Sequence, residues 1–295
     1  MATVGARLKN DGTLLTIGDF DETFQSTHSV TQEFIFADEF DEVTLSDGQP
    51  SGGSATLNGT TQYLTVTGSG DFQFGSAAFT VEGWFLSTST GYQRLWSFPD
   101  GDNVEILGST LYYWNGVNAP VGSGSNVVPQ NQWFHVALVK TNSTDAKVYV
   151  NGTAVITDST PYTSPTSRAL AIGGDVDGVD GFLTGNVTNF RVVKGLAVYT
   201  GNFSTPISPF NATQSSSVNI SAIPGSATVL LLTMADSGTL TTDSSGTSKS
   251  VTNVGGATFD ALTPLSTNYN GKMKQRKSGS LLVANEFDEH TGISA

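Results

Sequence analysis

The chain has 295 residues, no cysteine, 33 glycines and only 13% charged residues, with a formal net charge of −13. Strand-forming and turn-forming residues outnumber strong helix formers, so the composition predicts an all-β protein. The acidic balance disfavours a nucleic-acid partner, because phosphate contacts need clustered Lys and Arg. Without cysteine, a disulfide scaffold, a zinc-thiolate site and a cysteine nucleophile are excluded. No apolar run approaches the ~20 residues of a spanning helix, so membrane insertion is not expected.

Residues 1–50 form an acidic N-terminal arm that holds a repeated motif. An apolar stretch, 12–15, precedes the acidic Asp19-Phe20-Asp21-Glu22, and 279–282 precedes Glu286-Phe287-Asp288-Glu289 in the same way. A partial third copy joins 34–37 to Glu39-Phe40-Asp41-Glu42. A short strand cannot bury its apolar face alone. We therefore expect these copies to pair with each other, with a neighbouring subunit or with a partner; alternatively, they complete one local sheet.

The central region, 51–265, begins with a linker or turn at 51–54 and is predicted to be one domain of many short strands. Apolar and polar residues alternate with period two in 78–85 and 133–139, which predicts a strand in each stretch. Asn151-Gly152 predicts a two-residue type I′ hairpin turn. Further strands are predicted near 62–67, 92–98, 104–114, 168–172, 186–193, 227–233 and 248–254. Strands at this spacing indicate a sandwich or jelly roll.

The C-terminal arm, 266–295, begins with a basic run and ends with the arm motif. We expect the basic run of one chain to attract the acidic arm of a neighbour, which predicts a homo-oligomer. Apolar strands supply most of the affinity, because exposed ion pairs contribute only ~0–1 kcal/mol each. The predicted assembly residues are Leu14, Leu15, Phe20, Phe34, Phe36, Phe40, Lys274, Arg276, Lys277, Leu281, Leu282 and Phe287.

Several segments of the central region resemble the concanavalin A-like (laminin G-like) lectin/glucanase superfamily, in the family order. They are Leu57-Asn58-Gly59 with the strand to Val66, Phe79-Thr80-Val81-Glu82-Gly83-Trp84, Trp133 to Lys140, Val148-Tyr149-Val150-Asn151-Gly152, Leu170 to Gly174 and Asn189 to Gly195. The resemblance implies a concanavalin A-like jelly-roll β-sandwich with extended N- and C-terminal β arms. Residues 228–260 also look like a family segment, and we expect them to return and complete the same sandwich.

The arms resemble segments of structural proteins from marine tailed phages, in which a laminin G-like domain is attached to virion-anchoring segments. This resemblance implies location in the virion, as a capsid decoration or a tail or fibre component, with other capsid or tail proteins as partners. No signal peptide is visible in the sequence, and a virion protein released by lysis needs none.

A two-carboxylate glycosidase of this fold carries a Glu-x-Asp-x-Glu strand, and the nearest match is Glu39-Phe40-Asp41-Glu42. Its spacing is wrong by one residue, which turns the last carboxylate to the other face of a strand. The same tetrad recurs in both arms. We therefore expect no hydrolase activity.

A Gly-rich loop with three carboxylates, Asp175, Asp177 and Asp180, is a candidate calcium site, because calcium takes oxygen ligands from such loops. The alternative is a solvated turn, since Asp-Gly pairs also form plain turns. No cofactor is otherwise implied.

An aromatic cluster is the candidate glycan surface, since lectins stack sugars on exposed rings. Its members are Tyr92, Trp96, Tyr112, Tyr113, Trp114 and Asn115. The alternative is that they pack in the core or contact another subunit. Trp84 and Trp133 are interpreted as core residues, and His135 as structural.

Three functions follow from these patterns. The first is a phage virion structural protein that displays a lectin-like sandwich, with weak binding to host-surface glycans. The second is a secreted bacterial carbohydrate-binding module or adhesin. The third is a glycosidase, which the carboxylate spacing disfavours.

Overall fold

A computed structural model describes residues 52–164 and 168–265, and the backbone of two further strands at 40–42 and 274–276. The chain divides into one unit formed by Met1–Gln49 with Asn268–Ala295, and a second formed by Pro50–Thr267. In chain order the strands are β1 Phe40–Glu42, β2 Ser54–Asn58, β3 Tyr63–Ser69, β4 Phe79–Ser87, β5 Tyr92–Ser97, β6 Asn103–Leu107, β7 Thr110–Trp114, β8 Val121–Gly122, β9 Trp133–Asn142, β10 Asp145–Val150, β11 Thr153–Asp158, β12 Arg168–Ile172, β13 Thr184–Lys194, β14 Thr228–Leu232, β15 Val251–Val254, β16 Thr258–Asp260 and β17 Lys274–Arg276.

The second unit is a sandwich of two antiparallel sheets, which confirms the predicted all-β class. The eight-stranded sheet has the order β11-β10-β9-β4-β13-β2-β16, and β14 also pairs with β13. The seven-stranded sheet has the order β15-β3-β12-β5-β6-β7-β8. In the described residues, helical structure is limited to two 3-10 turns, Gly70–Phe72 and Gly225–Ala227. None of the described residues belongs to a helix long and apolar enough to cross a membrane.

The last strands of this unit return to its first ones, as the sequence predicts for 228–260. β14 pairs with the second half of β13, and β16 pairs with β2. β15 crosses to the other sheet and pairs with β3. The sandwich is therefore closed by strands from both ends of the unit.

The Asn151-Gly152 hairpin is confirmed. Both residues have positive φ, 47° and 77°, as a type I′ turn requires. Glycine is needed at the second position, because a Cβ there would lie 1.9 Å from the carbonyl oxygen of Phe203. The turn joins β10 and β11 at the edge of the eight-stranded sheet.

Two predicted boundaries differ from the structure. The single strand predicted over 104–114 is two strands, β6 and β7, which turn at Gly108 with φ of 59°. The 51–54 segment is not only a linker, because Ser54 is fully buried and begins β2.

The space between the sheets is filled by interlocking aromatic and aliphatic side chains. Phe85 of β4 contacts Trp96 of β5 at a ring-centroid distance of 6.0 Å and Phe190 of β13 at 6.5 Å. All three rings are fully buried. This packing between the sheets determines which face of each sheet points away from the core.

The outer faces of the two sheets differ. The segment 195–227, between β13 and β14, lies over the outer face of the eight-stranded sheet. There Val198, Tyr199, Phe203 and Ile223 pack against Ala137, Val139, Tyr149 and Val193 of the strands. The outer face of the seven-stranded sheet instead presents partly or fully exposed side chains, which include Tyr92 and Leu107.

Candidate functional site

The candidate site lies on the outer face of the seven-stranded sheet, where β5 and β6 run side by side. Tyr92 stands opposite Leu107 and Arg94 opposite Glu105 in the strand register. Tyr92 is 40% exposed, and it is the one exposed aromatic ring among the described residues. Leu107 beside it is 48% exposed. Together the two side chains form a solvent-exposed apolar surface at the end of the β5–β6 pair.

Arg94 holds the site together. Its Nε donates to the Tyr92 hydroxyl oxygen at 2.9 Å and lies 3.6 Å from a carboxylate oxygen of Glu105. One terminal nitrogen of its guanidinium lies 2.5 Å from Asp175, and the other lies 3.4 Å from Asp180. The guanidinium therefore fixes both the aromatic ring and the loop that carries the two aspartates.

The loop after β12 comes close to β5 because of a glycine. Gly181 has φ of 65°, and a Cβ there would lie 2.7 Å from Cγ of Arg94. The Arg94 amide donates to the Gly181 carbonyl at 2.7 Å. A larger residue at 181 would push the loop away from the guanidinium.

Burial sets the protonation of the two groups beside Arg94. It raises the pKa of Tyr92 to about 12, although the Arg94 hydrogen bond acts in the opposite direction. Burial also raises the pKa of Glu105, against the lowering effect of Arg94. Tyr92 thus keeps its proton at neutral pH. Its oxygen accepts from Arg94, and its O–H has the Glu105 carboxylate as a hydrogen-bond partner.

A second charged cluster lies on the opposite, covered face of the sandwich. Arg191 Nε and a terminal nitrogen donate to Glu82 Oε1 at 2.9 and 2.6 Å, and Tyr199 donates to Oε2 at 2.6 Å. Burial alone would raise the pKa of Glu82, but Arg191 and His135 lower it to about 2. Arg191 also donates to the Asn211 carbonyl and Gln214 of the 195–227 segment. The cluster therefore fastens that segment to the sheet.

A third buried cluster surrounds Asp102. Arg168 donates to Asp102 Oδ2 at 3.1 Å, and the Tyr113 hydroxyl donates to Oδ1 at 3.0 Å. Lys140 lies 3.6 Å from the same carboxylate, and burial lowers its pKa. Asp102, Arg168 and Lys140 are each at most 3% exposed. Their polar atoms bond to each other, so the cluster is structural.

The fold and one sequence comparison agree on the family of this region. Residues 58–196 match the model of the concanavalin A-like lectin/glucanases superfamily. This segment is similar to that superfamily over just under half of the chain, and the two-sheet antiparallel sandwich is consistent with its jelly-roll fold. No curated protein matches the chain in a sequence search.

Solved structures that are similar to part of this chain come from several organisms. A Bacteroides ovatus protein assigned to carbohydrate binding has a TM-score of 0.52 and 13% identity, over 72% of this chain and 60% of its own. A heptameric pentraxin of Limulus polyphemus has a TM-score of 0.39 and 14% identity, over 50% and 79%. A carbohydrate-binding module of a Ruminococcus gnavus sialidase, bound to sialyllactose, has a TM-score of 0.37 and 14% identity, over 49% and 92%. The likeness to the Bacteroides ovatus protein, at a TM-score of 0.52 and 13% identity, concerns the fold alone.

The residues of the predicted glycan surface are divided between the surface and the interior of the sandwich. Tyr92 is exposed, and Tyr112 and Trp114 are half-buried on the outer face. Trp96, Tyr113 and Asn115 are at most 3% exposed. These three are core residues and not part of a sugar-binding surface.

A shift in strand register explains the error at Trp96. Simple alternation would place it on the outer face with Tyr92 and Arg94. The pairing with β6 passes from Arg94↔Glu105 to Trp96↔Val104, so β5 holds one extra residue there. Leu95 and Trp96 are both buried as a result. Trp84 and His135 are buried, and half-buried Trp133 packs against the Trp84 cluster, as predicted.

The predicted calcium loop has a different partner. Arg94 occupies the place between Asp175 and Asp180 that a cation would need, while Asp177 is exposed. No group of three His, Asp or Glu side chains in the described parts of the chain is arranged to hold a metal ion. The loop is a turn braced by arginine, with Gly178 donating to the Asp175 carbonyl at 2.9 Å.

The predicted assembly residues lie mostly outside the described residues. These are Leu14, Leu15, Phe20, Phe34, Phe36, Lys277, Leu281, Leu282 and Phe287. For Phe40, Lys274 and Arg276 the structure gives the backbone pairing of β1 with β17, in which Phe40 is opposite Arg276 and Glu42 is opposite Lys274.

Sequence reasoning missed Arg94 and Glu105, the two groups that organise the candidate site. The sequence feature that could have identified them is a charged residue in a predicted strand, between two neighbours in the chain that are apolar or buried. The ion pair of Arg94 with Asp175 joins residues 81 positions apart, which only the folded topology brings together.

Proposed function

We propose that this chain binds glycans on the outer face of its seven-stranded sheet. The observation that carries the proposal is the exposed Tyr92 ring, whose hydroxyl is fixed by Arg94 at 2.9 Å. An aromatic ring held in one orientation binds a sugar face without losing much side-chain entropy. The fold, shared with a Bacteroides ovatus protein assigned to carbohydrate binding, is consistent with this proposal.

The site offers the two kinds of contact that a sugar uses. The C–H face of a pyranose would stack on Tyr92 and lie against Leu107. Its hydroxyl groups would donate to the carboxylate of Asp180, whose side chain is 57% exposed. Tyr112 and Trp114, half-buried on β7, extend the surface along the sheet.

Replacement of Tyr92 by alanine tests the proposal. We expect Y92A to lose at least tenfold in affinity for any glycan that the wild-type chain binds on an array, measured by calorimetry. Unfolding by urea should change by less than about 0.5 kcal/mol, since the side chain is at the surface. Ile207→Ala is the matched control, because Ile207 is 79% exposed but lies in the 195–227 segment. The proposal fails if no glycan binds, or if Y92A binds like the wild type.

We propose binding without hydrolysis. The tetrad with the nearest glycosidase spacing, 39–42, belongs to the unit of the terminal segments and not to the sandwich unit. Release of reducing ends from a β-glucan panel, abolished by Glu39→Gln, would contradict this.

We propose, as a second role, that the arms anchor the chain in a virion, as a capsid decoration or tail component. The support is the threefold acidic motif and the pairing of an acidic strand, β1, with the basic strand β17. Replacing Lys274 and Arg276 with glutamine should slow incorporation of the full-length chain into particles. A chain found only as a secreted monomer on bacterial cells would instead favour an adhesin or carbohydrate-binding module.

A further inference from the structure

We propose that the Tyr92 site selects uncharged glycans and rejects glycans that carry carboxylate or sulfate groups. This inference rests on the proposed function, since it names the ligand class of the same site. It follows from how the charges around Tyr92 are arranged and from how Arg94 is already engaged.

Carboxylates outnumber cations at this site. Glu105, Asp175 and Asp180 lie within 3.6 Å of Arg94, and Asp177 lies in the same loop. Asp177 and Asp180 are exposed, whereas Arg94 is only 16% exposed. A ligand approaching Tyr92 therefore meets a surface with an excess of negative charge.

Arg94 has little capacity left for an anion. A guanidinium recognises a carboxylate through two parallel N–H donors. In this site one terminal nitrogen faces Asp175, the other faces Asp180, and Nε is bonded to the Tyr92 hydroxyl. An acidic sugar could bind Arg94 only by displacing these carboxylates, and it would then lie beside them with the same sign of charge.

The rest of the domain does not supply compensating cations. Residues 52–164 and 168–265 contain seven Lys and Arg. Arg94 is one of them. Lys140, Arg168 and Arg191 are buried, and Lys249 is paired with Asp71. The remaining two, Lys147 and Lys194, lie on β10 and β13 of the other sheet, and Lys147 is paired with Asp145. The potential around the site is therefore set by its own carboxylates.

The expected discrimination is large at low salt. Each unpaired negative charge about 7 Å from a ligand anion weakens binding about threefold in water. Two or three such charges give at least about tenfold. Screening shortens the range of these interactions to about 8 Å at physiological ionic strength, so added salt should reduce the difference.

Neutral hydroxyl groups meet the opposite situation. They donate hydrogen bonds to carboxylates, and bonds to a charged acceptor are stronger than neutral ones. The same aspartates that repel an anion thus favour an uncharged sugar.

The test uses the full-length chain and an array that presents each glycan core in neutral, sialylated and sulfated forms. We expect the neutral form of a bound core to bind at least tenfold tighter than its acidic forms at 20 mM salt. The difference should shrink at 500 mM salt. Equal or tighter binding of the acidic forms overturns the inference and leaves the proposed function standing. Absence of binding to every core overturns both.

Asp180→Asn sharpens the test. It removes one exposed charge and keeps an oxygen acceptor, so the ratio of neutral to acidic binding should fall about threefold. Asp236→Asn is the matched control, because Asp236 is exposed in the loop after β14, which belongs to the other sheet. If D180N and D236N alter the ratio equally, the selection does not come from the Tyr92 site.

Discussion

The two outer faces of the sandwich use the same chemical pair in opposite ways. On the eight-stranded sheet, Glu82 and Arg191 are at most 1% exposed and lie under the 195–227 segment. On the seven-stranded sheet, Arg94 and Asp175 are 16% and 17% exposed and lie beside the exposed Tyr92. The buried pair of Arg191 and Glu82 stabilises the fold by holding the 195–227 segment against the sheet. The partly exposed pair of Arg94 and Asp175 instead positions the Tyr92 side chain for binding.

The difference lies in what covers each face. A buried pair must have every donor and acceptor satisfied, and Arg191 meets this with Glu82, Asn211 and Gln214. The N–H groups of Arg94 instead face the Tyr92 hydroxyl and the carboxylates of Asp175 and Asp180, which remain in contact with water. We therefore expect substitutions on the covered face to lower stability and those on the open face to lower binding.

The largest expected effect is that of Glu82→Gln. The substitution leaves the Arg191 guanidinium buried without a counter-charge, which destabilises a protein by about 3–5 kcal/mol. The free energy of unfolding in urea measures this. Asp145→Asn is the control, since its pair with Lys147 is partly exposed to water and should contribute less than about 0.5 kcal/mol. A loss below about 1 kcal/mol for E82Q would remove the distinction between the two faces.

The second largest expected effect is that of acid, which should lower the free energy of unfolding by protonating Glu82 on the covered face. The pKa of Glu82 is about 2 in the folded chain, against an ordinary value of 4.5. Because the folded value is the lower one, its stabilising effect is complete above about pH 5 and is lost as the pH falls toward 2. The difference corresponds to about 3 kcal/mol. Urea unfolding between pH 6 and pH 2.5 should show a steeper decline in the wild type than in E82Q.

Tyr199→Phe should have a smaller effect on the same face. It removes a 2.6 Å hydrogen bond to the Glu82 carboxylate and keeps the ring that stacks on Phe203. A hydrogen bond to a charged group contributes about 1.5–3 kcal/mol. Tyr149→Phe, in the same apolar cluster, is the comparison and should change stability less. Equal losses in both variants would show that the hydroxyl of Tyr199 is not the determinant.

The smallest effect on stability belongs to the open face. Arg94→Gln should lower the free energy of unfolding by about 1 kcal/mol, less than the changes on the covered face, because Asp175 and Asp180 remain hydrated and only Glu105, at 7% exposure, loses a counter-charge while buried. Glycan affinity should nevertheless fall at least tenfold, since Tyr92 loses the donor that fixes its ring. Calorimetry and urea unfolding of one preparation give both values. A variant that unfolds easily but binds normally would reverse the assignment of the two faces.

The sequence predicts local features better than those formed by distant residues. The Asn151-Gly152 turn and the strands predicted over 78–85 and 133–139 depend on neighbours in the chain, and all three are confirmed. Trp96 is misplaced because one extra residue in β5 reverses the alternation after Arg94. The aspartates at 175 and 180 suggest calcium until β5 brings Arg94 between them. The period of the residue pattern and the spacing of the aspartates cannot predict the extra residue in β5 or the position of Arg94, because both depend on contacts between residues far apart in the chain.

The adjacency of β2 and β16 also determines how the sandwich responds to force. These strands are the first and last of the unit, and they run antiparallel with Ser54 opposite Asp260. A load applied at the two ends pulls the strands apart from one end, so their three residue pairs break one after another, like a zipper. Strands pulled lengthwise past each other would have to break all their pairs at once. Under tension, the β2–β16 pair should therefore separate first, while the Tyr92 face, on the other sheet, remains folded.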